Sequence, residues 1–68
     1  MDSIEQILEG LEGHALSTEQ VGGIFGKSAF TIRQWILKKR IVAYRMGNEW
    51  SIDPADALTF WRQRRSGK

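Results

Sequence analysis

The side chains that carry chemistry in this 68-residue sequence fall between Lys27 and Asn48. Arg33 and Gln34 stand side by side. A guanidinium suits paired hydrogen bonds to guanine, and a primary amide suits adenine. Ile32, Trp35 and Ile36 repeat at the spacing of an inward helical stripe, which leaves Ala29, Phe30, Arg33 and Gln34 on the outward face. Ser28 and Thr31 add hydroxyls near the start of that helix, and Asn48 adds an amide further on. Lys27, Lys38, Lys39, Arg40 and Arg45 supply the cations that phosphates attract. These are groups for holding and reading a polyanion, not for making or breaking bonds.

The catalytic alternatives fail on spacing. Gly22 to Ser28 reads GGIFGKS and superficially suggests a phosphate-binding loop. That loop needs four residues between its first Gly and the Gly-Lys-Ser, and counting back from Gly26 puts Val21 at the first position. His14 is the single histidine and there is no cysteine to partner it, so neither a thiolate metal site nor a Cys–His nucleophile can form. No serine lies in a nucleophile-elbow pattern. Glu5, Glu9 and Glu12 share one face of an N-terminal helix and read as a solvated acidic surface rather than a metal site. No enzyme activity, metal, cofactor or small-molecule ligand is expected.

Charge separates along the chain. Residues 1 to 26 carry five acidic side chains and no Lys or Arg, whereas residues 27 to 68 hold all ten basic ones against Glu49, Asp53 and Asp56. The formal net charge of +2 therefore conceals −5 followed by +7. A polyanion is steered to the second part and repelled from the first, which makes nucleic acid the expected partner. The length suits one small domain, read as residues 1–68, that buries only roughly 60% of its unfolded surface. Lack of cysteine, of a signal-peptide pattern and of a long apolar run leads to the expectation of a cytoplasmic protein with no membrane partner.

The elements that position the outward face begin at Ser17. Its hydroxyl can cap a first helix while Gln20 bonds back to the Ser17 amide, and Val21, Ile24 and Phe25 give that helix an apolar face. Gly26 supplies the left-handed residue that ends it, and Ser28 caps the next. Gly22 costs helix stability on the order of 0.5–1 kcal/mol relative to Ala. Close approach of the second helix is a reason to keep it, whereas Gly23 has no such account. Two short helices around a tight turn are the unit that sets its second helix in the DNA major groove.

Around this pair the pattern predicts three further elements. Residues 1–13 form an extra amphipathic helix, with Ile4, Ile7, Leu8 and Leu11 as its stripe and Ser3 and Gln6 as a second capping box. That stripe either covers the core or forms a dimer contact. Ile41 to Tyr44 and Trp50 to Ile52 are β-formers around a Gly47-Asn48 turn, which pairs Arg45 with Trp50 and Ala43 with Ile52 and assigns Trp50 and Ile52 to the core. Such a hairpin behind a recognition helix is a wing, with Arg45 and Asn48 near its tip. Asp53-Pro54 starts a last helix with Ala57, Leu58 and Trp61 inward, Phe60 at the margin, and Arg62, Arg64 and Arg65 in the final turn. Residues 62–68 form a basic tail that frays from Ser66. The fold class is α+β, mostly α: a small winged helix-turn-helix.

From Leu16 to Trp61 the chain resembles the excisionase-type winged-helix DNA-binding domains, relatives of the DNA-binding end of MerR-type regulators. The likeness rests on Leu16-Ser17-Thr18-Glu19-Gln20, on Phe25-Gly26 at the turn, and on Ser28 to Ile36 as recognition helix. Ala43 to Gly47 with Trp50 and Ile52 stands where the family has its wing, and Asp53 opens its closing helix. Lys27 stands in place of a usual apolar residue, Lys39 in place of the Gly that commonly ends the recognition helix, and Val42 in place of a frequent Pro. Ala29 stands where an early Arg is common, one turn before Arg33.

The resemblance implies sequence-specific double-stranded DNA binding in a phage or mobile-element context, as an excisionase-like recombination accessory factor or a small transcriptional regulator. The DNA-binding domain of a small terminase subunit is similar enough to stay open, as is a protein-interaction module on the same scaffold. MerR-type regulators dimerise through a long helix after this domain, and the sequence ends at Lys68. The expectation is a monomer that loads onto adjacent sites, unless the N-terminal stripe pairs two copies.

Overall fold

A computed structural model describes the backbone of residues 3–67 and the side chains of residues 3–64. Four helices and one antiparallel hairpin follow in the order α1 (Ser3–Gly10), α2 (Thr18–Phe25), α3 (Ala29–Leu37), β1 (Tyr44–Met46), β2 (Glu49–Ser51) and α4 (Pro54–Gly67). The molecule is mostly helical, and its two-stranded sheet is a local device.

Helix α2 is bounded by its own polar groups. The Ser17 hydroxyl accepts from the Gln20 amide at 3.1 Å, and the Gln20 side chain accepts from the Ser17 amide at 2.8 Å. These bonds satisfy two donors that a helix start otherwise leaves open. Gly26 ends the helix at φ 72°, and the Lys27 amide donates to the Gly22 carbonyl at 2.7 Å. The turn is thereby folded over Gly22, where a Cβ would lie 2.5 Å from the Lys27 carbonyl oxygen. The close approach expected of Gly22 is made by the turn itself. A Cβ on Gly23 would meet nothing within 4 Å, so packing does not explain that glycine.

Helix α3 starts on Ser28, whose hydroxyl accepts from the Thr31 amide at 3.1 Å. Its end is a Schellman motif: the Lys39 amide donates to the Ile36 carbonyl at 3.0 Å and the Arg40 amide to the Trp35 carbonyl at 2.8 Å. Lys39 holds the left-handed position at φ 63°, a conformation that normally selects glycine. After this stop Ile41 is drawn into the core, so the ladder begins at Tyr44 rather than at Ile41.

The hairpin has the expected register across its turn, with Met46 opposite Glu49 and Arg45 opposite Trp50. Gly47 is at φ 63°. Ile52 does not pair with Ala43. It bridges Leu16 through two backbone bonds of 2.9 and 2.8 Å, which tie the entrance of α2 to the end of the hairpin. Beyond it, the Asp53 carboxylate accepts from the Ala55 amide at 2.9 Å and caps α4.

The core holds Leu8, Leu16, Val21, Phe25, Ile32, Ile36, Ile41, Ile52, Ala57 and Phe60. Phe60 is buried, while Leu58 and Trp61 are only partly so, which reverses the expected order on α4. The reason is aromatic packing: Phe60 meets Trp35 at 4.9 Å and Phe25 at 5.9 Å between ring centroids, with Trp61 stacked on the outer side of Phe25 at 5.3 Å. Trp50 is likewise half-buried rather than central.

Helix α1 packs against α4 and, less extensively, α2. Leu8 is fully buried there, Ile4 and Leu11 are partly buried, and Ile7 stays exposed, so most of the stripe covers the core. Ser3 lies within α1 rather than before it, so it does not serve as the cap of the expected Ser3–Gln6 capping box. Glu5 and Glu9 do not stand free on an outer face. Arg62 reaches both, at 3.7 and 3.5 Å. From Arg62 to Gly67 the expected basic tail is helical, as the end of α4; Lys68 lies outside the described residues. Among the described residues no helix is long and apolar enough to cross a membrane.

Candidate nucleic-acid interface

Helix α3 buries Ile32 and Ile36 and turns Phe30, Arg33, Leu37 and the flanking Lys38 outward. Phe30 is 62% and Leu37 64% exposed, the values of side chains without a packing role. Gln34 is half-buried between them on the same outward side, and Ala29 and Thr31 are half-buried at the start of the helix. No acidic side chain occurs on α3. The sequence expectation of an outward Ala29, Phe30, Arg33 and Gln34 is therefore met fully by Phe30 and Arg33 and in part by Ala29 and Gln34. Leu37, seven residues and two turns beyond Phe30, belongs to the same face. That helical spacing is the signal that finds it.

Two flanks border this face. On one, Arg33 lines a cavity of about 200 Å³ with Ser17, Thr18, Glu19, Asn48, Glu49 and Trp50. The hairpin thus stands beside α3, and Asn48 at its tip and Arg33 on the helix open onto the same space. Arg45 is not extended from the tip. Its Nε donates to the Gly47 carbonyl at 3.2 Å and its guanidinium lies 5.0 Å over the Trp50 ring, a cation–π contact that leaves its outer N–H groups to solvent.

This flank also holds carboxylates that the basic pattern of the sequence obscures. Glu19, one position into α2, and Glu49 face the cavity beside Arg33. The Glu19 carboxyl is held below the ordinary value of 4.5, first by a hydrogen bond to its own backbone amide, then by the Thr18 hydroxyl at 3.2 Å, with the Arg33 charge and the Ser17 side chain adding to it. Glu19 thus remains an anion near Arg33.

The opposite flank is aromatic. Lys27 and Arg64 border a cavity of about 290 Å³ whose other walls are Phe25, Trp35, Phe60 and Trp61. The remaining cations cluster at the far end of α3, where the Schellman turn exposes Lys38, Lys39 and Arg40 in succession. Ser28 is exposed, but its hydroxyl is engaged with the Thr31 amide and hydroxyl, the latter at 3.1 Å. The twelve predicted positions therefore do not form one patch. Phe30, Arg33, Gln34 and Asn48 gather along α3 and the hairpin, Lys27 and Ser28 sit at the helix entrance, Ala29 and Thr31 follow them, Lys38 to Arg40 mark its exit, and Arg45 folds back on Trp50.

Compared with protein-family models, curated protein sequences and solved structures, the chain matches none.

Proposed function

We propose that this chain binds double-stranded DNA as a small winged helix-turn-helix, with α3 in the major groove and the hairpin on the neighbouring backbone or in the minor groove. The observation that carries this reading is the α2–α3 pair itself. Two capped helices are joined by a turn folded tightly over Gly22, and the second helix presents an acid-free outward face with cations at both ends. A major groove admits one α-helix, and its phosphate walls attract charges placed at the helix entrance and exit.

Arg33 reads guanine and Gln34 adenine in this arrangement, while Lys27, Lys38, Lys39 and Arg40 hold phosphates. Phe30 and Leu37 meet the one apolar group that the groove offers, the thymine methyl. Their seven-residue separation is about 10 Å along the helix axis, close to three base-pair steps of about 3.4 Å. The site is then read as two thymine contacts on either side of an Arg33 contact. The excisionase-like or regulatory role rests on the resemblance of residues 16–61 and accords with this geometry.

Selection of bound duplexes from a random pool, followed by affinity measurements across salt, tests the reading. The expected result is a short defined site whose affinity falls steeply with salt and whose preference at one position is relaxed by Arg33→Ala. Affinity that hardly changes with salt refutes it. A uniform loss on all sequences moves Arg33 to the phosphates. Direct repeats in the site support loading of adjacent copies, and inverted repeats support a two-fold dimer. One observation favours a second reading, a protein-docking module: Phe30, Leu37, Tyr44 and Met46 are all large, apolar and exposed. Failure to enrich any duplex is the result that would favour it.

A further inference from the structure

We infer that Lys27 and Arg64 form a phosphate clamp on the side of α3 away from the hairpin, holding the DNA strand opposite the one the hairpin touches. The inference rests on the DNA-binding reading and adds a contact made by α4, an element outside the groove-reading pair.

Arg62 and Arg64, both on α4, differ in their surroundings. Arg62 is neutralised by Glu5 and Glu9 across α1. Arg64 pairs with no carboxylate among the described residues, and its guanidinium instead lies 5.1 Å from the Trp35 ring and 5.8 Å from the Phe60 ring. Aromatic faces attract a cation and fix its plane, yet they accept none of its in-plane hydrogen bonds. The guanidinium is thus oriented while its N–H edge is left to donate. Lys27, exposed on the turn before α3, borders the same cavity, and among the described residues no acidic one lines it. Two basic residues border one space of about 290 Å³, and its aromatic walls offer no carboxylate or carbonyl to compete for their N–H groups, so an anion is the partner it suits.

Position on α3 identifies the anion. Trp35 lies on the flank opposite Arg33, so the cavity and the hairpin cleft border the outward face of α3 from its two sides. A helix seated in the major groove has a phosphate backbone on each side. With the hairpin beside one strand, the clamp meets a phosphodiester of the other. A free phosphate would be recognised by the same donors, and the experiment separates the two sources.

Binding of the full chain to its selected duplex is measured against salt for wild type, Lys27→Gln, Arg64→Gln, Arg64→Lys and the Gln double variant, with melting followed in parallel. Each Gln variant is expected to lower the slope of log affinity against log salt by about 0.9, and the pair by about twice that, with sequence preference unchanged. Arg64→Lys keeps the charge and should restore most of the slope, which separates a clamp from a role in packing. Wild-type slopes in folded Gln variants overturn the clamp and leave the DNA-binding reading standing. No binding by the wild type removes both. Saturable shifts of the Trp35 and Trp61 indole signals with inorganic phosphate, alongside wild-type slopes in the variants, assign the cavity to a free anion and refute the proposal.

Discussion

Gly22 and Gly23 are chemically identical neighbours in one helix, yet alanine should act on them in opposite directions. At Gly22 a Cβ would lie 2.5 Å from the Lys27 carbonyl oxygen, 3.3 Å from the Ser28 carbonyl carbon and 3.4 Å from that of Lys27. All three are backbone atoms, in a turn held by the left-handed Gly26 and the 2.7 Å bond from the Lys27 amide to the Gly22 carbonyl. Nothing flexible can yield, so the turn and the start of α3 must move. Overpacking of this kind costs about 1–3 kcal/mol. Against it stands the roughly 0.5–1 kcal/mol gained by removing a glycine from a helix interior. A 2.5 Å approach to a backbone oxygen puts the overpacking cost in the upper half of its range, so Gly22→Ala should lose about 1–2 kcal/mol, a large part of the roughly 3–10 kcal/mol available to a domain of this length. Gly23→Ala meets no atom within 4 Å and keeps only the gain, about 0.5–1 kcal/mol. Thermal melts followed by circular dichroism should place the first variant about 5–15 °C below wild type and the second about 2–8 °C above it. Urea titrations give the same ordering independently. A Gly22→Ala protein as stable as wild type, or two variants that shift in one direction, would refute the argument that the turn is folded onto Gly22.

Lys39→Gly should raise stability by about 1 kcal/mol, because Lys39 is in the left-handed region at φ 63° where glycine bears no Cβ penalty; the same variant should lose about one unit of salt slope if Lys39 touches phosphate, and an unchanged or lower melting temperature contradicts the first claim. Replacing thymine by uracil at the positions facing Phe30 and Leu37 removes one methyl each and should weaken binding about fourfold per position, from about 0.8 kcal/mol of lost burial; Phe30→Ala should abolish the sensitivity at one of them, and equal binding of uracil-containing duplex rules the methyl contacts out. Glu19 has its folded pKa depressed, so its contribution to stability is complete above the ordinary value of 4.5 and is lost as pH falls through the folded value. Its side-chain NMR titration should have a midpoint below 4.5, and Glu19→Gln should flatten the acid limb of the stability profile; a midpoint at or above 4.5 would contradict the hydrogen bonding described for it.

The features legible before folding lie within four residues of their cause. Ser17 with Gln20, Ser28 with Thr31, Gly26, the Gly47-Asn48 turn and Asp53-Pro54 all satisfy backbone groups close by in the chain, and each stands where the local rules put it. The order of helices, the hairpin register around its turn and the outward Phe30 and Arg33 follow from those boundaries together with the inward stripe of Ile32 and Ile36. Tertiary structure decided what depends on partners distant in sequence. Phe60 rather than Trp61 is buried because Phe25 and Trp35 offer it rings on two sides. Ile52 bonds to Leu16 rather than Ala43, and Ile41 leaves the strand for the core. Glu5 and Glu9 face Arg62, whereas Arg64, two residues on, lies over Trp35. A helical repeat states which residues share a face, but α4 is apolar over so wide an arc that its orientation is set by the surfaces it meets, and those surfaces exist only once the chain has folded.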